Sequence, residues 1–309
     1  MSNRMIWIHT LSPTHVGIGR GVGYVDLPID RDSVTGWPLI RGSAIKGVWA
    51  DHFRATSGAR EGDDEESRLL RAAFGRAGSD NSSNAGALVP TDAQLVCLPV
   101  RSFRGTFAWV TSPLCLKRLQ RLLTLGGANQ DTVPPLPDDL ADATAHCPTD
   151  SVLAEDQKIY LEDLDLDARA CDVATQWAER IANAVFPDDA NWQREFRKRF
   201  VVIPGNLFDF LCETATEVHT RVRIDSETKT VASGQLWTEE ALPTETILAG
   251  LLQCERVFLS YGENEIKVTR DQLLDKFASS PIQLQMGGKA TVGMGQVRCV
   301  FQPLNGGNK

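Results

Sequence analysis

No run of about eighteen apolar residues occurs in this chain, so nothing in it reads as a membrane-spanning helix. The first residues, MSNRMIWIHTL, carry one arginine and a short apolar stretch. That is not the pattern of a secretory signal, and a cytoplasmic location is expected. No C-x-x-C pair exists. The seven cysteines (Cys97, Cys115, Cys147, Cys171, Cys212, Cys254 and Cys299) are scattered and odd in number, which argues against a zinc ribbon or a disulfide framework and for reduced, mostly buried thiols. The five histidines never fall at H-x-x-x-H or H-E-x-x-H spacing, so no protein-built metal cage is expected. G-x-S-x-G is missing, and with it the esterase nucleophile. The phosphate-cradling G-x-x-x-x-G-K-[ST] is missing too. So is an excess of basic charge: the net charge is −8, against the basic footprint of most nucleic-acid binders.

The distribution of that charge qualifies the exclusion. Residues 1–60 hold seven Lys and Arg against four Asp and Glu, residues 191–309 hold fourteen of each, and the acidic excess sits between them. A local basic groove on an acidic protein is therefore compatible with the composition. At 42% hydrophobic and 23% charged residues the balance is that of ordinary globular proteins, so 309 residues can bury a sizeable core.

Residues 5–11 read as an opening strand, and 24–30 alternate weakly as a strand that Pro28 ends or pushes to an edge. Ser43 reads as the N-cap of a helix carrying Ile45, Val48, Trp49, His52 and Phe53 at helical spacing. Leu69, Leu70, Ala73 and Phe74 make a short helix stopped by Gly75, between an acidic stretch at 61–67 and a polar loop at 76–86. Two strand-like runs lie within 87–111, and a helix follows Pro113 to the Gly126-Gly127 pair. Residues 126–150, rich in Pro and Asp, read as an irregular insertion. Helices are expected across 172–200 and at 270–278, two strands around a polar turn in 217–237, and a glycine-interrupted hairpin over 282–301. No βαβ rhythm and no fixed repeat appear, which predicts an α+β fold with large insertions.

Four segments carry residues suited to phosphate. His15 to Gly23 places glycines at every second position, with His15, Arg20 and then Asp26 supplying charge; such a loop lets a backbone approach a phosphate chain. The plain alternative is a surface hairpin. Arg41-Gly42-Ser43 opens a helix whose free N–H groups and dipole attract anions, with Lys46 one turn on; the alternative is an ordinary capped helix. Met286 to Gly295 wraps four glycines around Lys289. Arg221 and Arg223, two apart, would share one face of a strand. The run Arg194, Arg197, Lys198, Arg199 is more simply the wet face of an amphipathic helix.

The order of these segments is more telling than any one of them. L-S-P-T-H-V-G-I-G-R-G-V-G, V-D-L-P-I, T-G-W-P-L-I-R-G-S-A-I-K-G-V, A-G-A-L-V-P-T-D-A-Q-L-V-C-L-P-V-R-S, F-A-W-V-T-S-P-L, R-I-D-S-E-T-K-T-V-A-S-G-Q-L-W-T-E-E-A-L-P and G-G-K-A-T-V-G-M-G follow one another. Together they resemble the RAMP superfamily of CRISPR proteins, and within it the repeated backbone subunits of type III-B (Cmr) complexes. The resemblance implies a single RAMP domain over 1–309, with an RNA-recognition-like (ferredoxin-type) palm and a β-hairpin thumb at about 217–240; the insertion at 126–150 falls outside it. It implies guide CRISPR RNA, complementary target RNA, copies of the chain in a helical filament and other Cmr subunits as partners, with no membrane. It also implies an endoribonuclease that cuts target RNA at regular intervals. Asp26 matches the target-cutting carboxylate and His15 the loop histidine. Lys46 and Lys289 match basic residues near the guide backbone, so the candidate RNA-binding set is Arg20, Arg41, Ser43, Lys46, Arg221, Arg223 and Lys289. Two positions depart from the family pattern: Arg41 stands where Pro is common, and Ala44 where a second Ser is common.

Cutting would use the ribose 2′-hydroxyl on its own phosphate. An ordinary Asp has a pKa near ~3.9, poor for a base at neutral pH, so orientation of the hydroxyl or binding of a divalent ion (Mg²⁺ or Mn²⁺, brought with the RNA) is the expected role of Asp26. The competing readings are a non-catalytic guide and target scaffold, a stand-alone processing nuclease using His15 as base, and an unrelated acidic α+β protein.

Overall fold

The structure, a computed structural model, describes residues 2–19, 21, 25–57, 64–76, 83–137, 140–254, 256–257, 268–279 and 281–304. Arg20, Tyr24 and parts of the 61–67 and 76–86 stretches lie outside these. The strands are β1 (Ser2–Thr10), β2 (Leu39–Ile40), β3 (Gly75–Arg76), β4 (Asn84–Ala85), β5 (Leu88–Pro90), β6 (Ala93–Arg101), β7 (Phe107–Thr111), β8 (Thr144–Cys147), β9 (Lys158–Leu161), β10 (Leu164–Ala170), β11 (Phe200–Val202), β12 (Glu217–Ile224), β13 (Val231–Ala241), β14 (Ile247–Cys254), β15 (Ile282–Gln285) and β16 (Gln296–Pro303). The helices are α1 (Gly42–Ser57), α2 (Glu65–Phe74), α3 (Pro113–Gly126), α4 (Asp172–Val185), α5 (Ala190–Arg199), α6 (Gly205–Thr214) and α7 (Arg270–Phe277).

β1 is the organising strand. Its residues from Met5 to Thr10 are all buried, as befits a strand covered on both faces. Alternation sends Ile6 and Ile8 into one core with Ile45 and Trp49 of α1, Phe74 of α2 and Phe277 of α7. Met5 and Trp7 enter a second core with Leu116 and Leu123 of α3, Trp177 and Ile181 of α4 and Phe196 of α5. The sheet thus lies between two helical layers. A third core gathers Phe208 and Leu211 of α6 with Leu98, Ile159, Leu161 and Leu166.

The sheet runs β15-β16-β1-β14-β6-β7-β11-β8-β10-β9, with β2 and β5 paired at its side. β7–β11 and β8–β10 are parallel, and the other neighbours are antiparallel. Helices and a large mixed sheet agree with the α+β expectation at that level. β12 and β13 form a separate two-stranded sheet, antiparallel from Glu217↔Ala241 to Val222↔Leu236, then broken in register before Ile224↔Val231. Among the described residues no helix is long and apolar enough to cross a membrane.

Two local expectations are corrected. The helix begins at Gly42, so Ser43 is its second residue; the carboxylate that accepts from the first amide, Gly42 N at 2.8 Å, belongs to Asp92. Of the expected strand at 24–30, the described residues 25–30 do not make one. Val25, Leu27 and Ile29 take part only in single bridges, because this segment is captured by side chains of β13 rather than by a continuous ladder.

Candidate functional site

Successive residues of a strand point to opposite faces, so Glu239 and Glu240 of β13 serve two different sites. Both are buried, and buried carboxylates need partners. The pair therefore fixes what surrounds the base of the hairpin.

On one face, Glu240 accepts from Arg31 Nη2 at 2.6 Å, Thr216 Oγ1 at 2.8 Å and the Ile29 amide at 3.0 Å. Arg31 also donates to the carbonyls of Gly36 and Cys212. One carboxylate thus ties the segment after Asp26 to the root of β12. The tie continues outward: Leu27 bridges Glu239 in parallel, and the Leu27 amide donates to the Thr238 carbonyl at 3.0 Å.

Asp26 ends this clasp. Its Oδ2 accepts from the Thr238 amide at 2.8 Å and the Thr238 hydroxyl at 3.0 Å, and its own amide donates to that hydroxyl. Asp26 is exposed, and the Thr238 backbone bond, then the Thr238 hydroxyl, hold its carboxyl below the usual range. It is ionised at neutral pH, with Oδ1 uncommitted to protein among the described residues.

His15 sits close by but buried. Its Nδ1 donates to the Glu240 carbonyl at 2.6 Å, which leaves Nε2 as the acceptor of the neutral ring. Its carbonyl accepts from Gly288 at 3.0 Å. A Cβ at Gly287, where φ is +77°, would overlap that same carbonyl, so only glycine lets the two loops close.

The second face of β13 belongs to Glu239, whose side chain is 1% exposed. Arg221 Nε lies 2.6 Å from its Oε1 and Lys289 Nζ 3.1 Å from its Oε2. The Lys289 ammonium also stands 5.5 Å from the Trp237 ring centre. Burial pushes the Glu239 carboxyl up, but the bonds from Arg221 and Lys289 outweigh it and the group stays below its ordinary range.

The base of the hairpin therefore holds two groups: His15 and Asp26 through Glu240 and Thr238, and Arg221 and Lys289 through Glu239 on the other face. The register break at Arg223 takes that residue off the regular ladder, and it has no ion pair among the described residues. Arg41, Ser43 and Lys46 form a separate group at the start of α1. Arg41 grips Asp30 with two bonds, 2.7 and 3.1 Å, and Asp92 with a third at 3.1 Å, and the Asp30 bonds above all raise its pKa. It fastens the segment following Asp26 to the helix. Ser43 is exposed. Lys46 is half-buried without an ion pair among the described residues, and desolvation lowers its pKa. Arg20 lies outside the described residues. Glu239, Glu240, Arg31 and Thr238 are the residues that reading the sequence for cations missed; the signal was the Glu-Glu pair inside a strand, where solvated acids are unusual.

Among the described residues no three His, Cys, Asp or Glu side chains converge as a metal site. Asp26 offers one uncommitted oxygen, whereas a hard divalent cation takes about six. The side chains of the described residues do not fit a resident metal.

The sequence model of the RAMP superfamily matches residues 7–298. The CRISPR system Cmr endoribonuclease Cmr4 of Pyrococcus furiosus is 33% identical over 317 residues, covering 99% of each protein. The crystal structure of oligomeric Cmr4 from Pyrococcus furiosus superposes with a TM-score of 0.73 at 25% identity, covering 99% of both chains. A chain of the type III-B Cmr-beta complex bound to cognate target RNA superposes with a TM-score of 0.72 at 18% identity over 97% of each chain, which speaks for the fold alone.

Proposed function

The chain belongs to the RAMP superfamily, and from that premise we propose that it is a guide-RNA-binding backbone subunit of a type III-B CRISPR complex that cuts complementary target RNA at regular intervals. In this reading residues 1–309 are one RAMP domain, the sheet around β1 is its ferredoxin-type palm, and the β12–β13 hairpin is its thumb. Residues 126–150 are an insertion of this chain apart from β8 (Thr144–Cys147), which joins the sheet between β11 and β10. Its partners are guide RNA, target RNA, further copies of itself and other Cmr subunits, in the cytoplasm.

Sequence-independent guide binding rests on phosphate contacts. Lys46 suits this role best, as a cation with no carboxylate partner among the described residues. Arg221 and Lys289 share one buried carboxylate and keep one net positive charge between them; Arg223 adds another. Base pairing then selects the target.

The observation that carries the catalytic part is the clasp of Asp26 on Thr238. It holds an ionised carboxylate on the flank of the hairpin with one oxygen uncommitted. That oxygen accepts a hydrogen bond from a ribose 2′-hydroxyl and orients it for in-line attack on the adjacent phosphate. The 2′-oxygen bonds to phosphorus as its proton passes to water, the bond to the 5′-oxygen breaks and that oxygen takes a proton from water, and a 2′,3′-cyclic phosphate remains. Cations that contact the bound RNA backbone stabilise the charge that builds on phosphorus. A depressed pKa makes Asp26 an orienting group rather than the base. Any divalent cation enters with the RNA phosphates. His15, buried and fixed through Nδ1, acts on the shape of the loop, which disfavours a stand-alone nuclease that uses it as base.

The test is the assembled complex with end-labelled target, wild type beside Asp26→Ala, with and without EDTA. A regular ladder lost in the variant while target binding persists supports the reading. A ladder from both leaves a scaffold and moves the catalyst elsewhere.

A further inference from the structure

The turn between β6 and β7 exposes an aromatic side chain that the site above does not use. Phe103 is 79% exposed, yet its backbone is held firmly. Its amide donates to the Tyr160 carbonyl at 3.2 Å, Ser102 N donates to Thr106 O at 3.1 Å, and Arg199 Nε donates to Gly105 O at 2.8 Å. Gly105 and Thr106, with φ of +71° and +75°, close the turn. A large apolar group displayed by a rigid turn is the form of an interface anchor. Its flank is the Tyr160 ring, 6.1 Å away edge to face. Two arginines flank the turn, exposed Arg101 and Arg104, the latter 5.9 Å over the Phe103 ring and paired with Glu155; beyond them the surface is acidic, for Asp156, Glu162, Asp163 and Asp165 of the neighbouring β9–β10 hairpin are exposed and make no ion pair among the described residues. Such a surface repels RNA and suits a basic protein face.

That face exists on the same chain. α3 contains no acidic residue, and Leu114, Lys117, Arg121 and Leu125 lie along one exposed stripe at helical spacing. Leu114 and Leu125 are 51% and 64% exposed. Lys117 and Arg121 make no ion pair among the described residues. Phe103 precedes β7 and α3 follows it, so the anchor and the start of the stripe are at opposite ends of that strand, roughly 16 Å apart for five residues. Two complementary surfaces at opposite ends make a head-to-tail contact that repeats.

We propose that the Phe103 turn with its acidic hairpin docks on the α3 stripe of a second copy of this chain. This rests on the reading of the chain as a repeated backbone subunit and names the two surfaces that would meet.

The full-length chain is measured by sedimentation and mass photometry over a concentration series, as wild type, as Phe103→Asp and as Lys117→Glu with Arg121→Glu. Each variant is expected to self-associate roughly thirtyfold more weakly, as for loss of an interface anchor. Mixed in equal amounts, the two keep one good surface each, so they form a pair and nothing longer. Unchanged circular dichroism melts confirm that both are folded, and Phe103→Ala repeats the test without adding a charge. Assembly of either variant like wild type overturns the proposal, as does a mixture that fails to pair. Wild type that stays monomeric with and without guide RNA overturns the backbone reading itself, and this contact with it.

Discussion

Replacing Glu240 by alanine tests whether the base of the hairpin organises the loop that bears Asp26. The side chain is 7% exposed and accepts three hydrogen bonds, from Arg31, Thr216 and the Ile29 amide. Truncation orphans the buried Ile29 amide, at about 1–3 kcal/mol. It also strips Arg31 of its carboxylate. Breaking a fully buried pair costs about 3–5 kcal/mol, but Arg31 is a quarter exposed and keeps two carbonyl acceptors, so this part falls well below that range. The sum is about 3 kcal/mol, or roughly 6 °C in a chain of this size. Glu240→Gln keeps an acceptor for the amide and should recover about half. Because the lost bonds hold residues 29–31, Asp26 loses its alignment before the core loosens. Target cleavage in the assembled complex should therefore fall by about tenfold or more while target affinity stays within about twofold. Thermal melts, single-turnover cleavage and filter binding measure the three quantities. An alanine variant with wild-type melting and wild-type cleavage would refute the reasoning, and so would equal losses in cleavage and binding.

Gly287→Ala should cost about 2 kcal/mol or more, read as a lower melting temperature, because the new Cβ meets the His15 carbonyl at a left-handed φ. The pH profile of cleavage should show no limb from Asp26 between about pH 5 and 8. Its folded pKa is depressed, so the stabilisation from its clasp is fully present above the ordinary carboxylate value and is lost only as pH falls through the lower folded one. An acid limb near pH 6 that disappears in Asp26→Asn would contradict this. Lys46→Ala should weaken guide binding alike for all sequences and reduce the slope of log K against log salt by about 0.7; an unchanged slope removes Lys46 from the phosphate contacts.

How much of this was legible in the sequence depends on where each element finds its partners. β1 and α1 carry their own signals, an unbroken apolar run and Ile45 with Trp49 at helical spacing, so both were read correctly. β14 did not announce itself: ILAGLLQC has weak strand propensity, and it forms because β1 and β6 pair with it on either side. β10, LDLDARA, reads as solvated loop because Leu166 is its only buried side chain. The segment at 24–30 has the alternation of a strand, yet its described residues, 25–30, hold no ladder. The groups that capture it, Thr238 and Glu240, lie more than two hundred positions away, beyond any window of periodicity.

The candidate site follows the same logic. Asp26, Lys289 and Arg221 stood out as charges among glycines or on a strand, but charge type alone did not say which cations were already engaged. Arg41 proved to be held by Asp30 and Asp92, while Lys46 has no ion pair among the described residues. Glu239 explains the rest. Without it, Arg221 and Lys289 would face each other as like charges and push the 286–295 loop off the hairpin. With it, the loop closes on the hairpin, and the cluster keeps a net positive charge, which in the proposed reading it offers to a phosphate. The cluster's charge is therefore set by a buried anion that a count of basic residues cannot find, which is how an acidic chain can carry a locally positive surface.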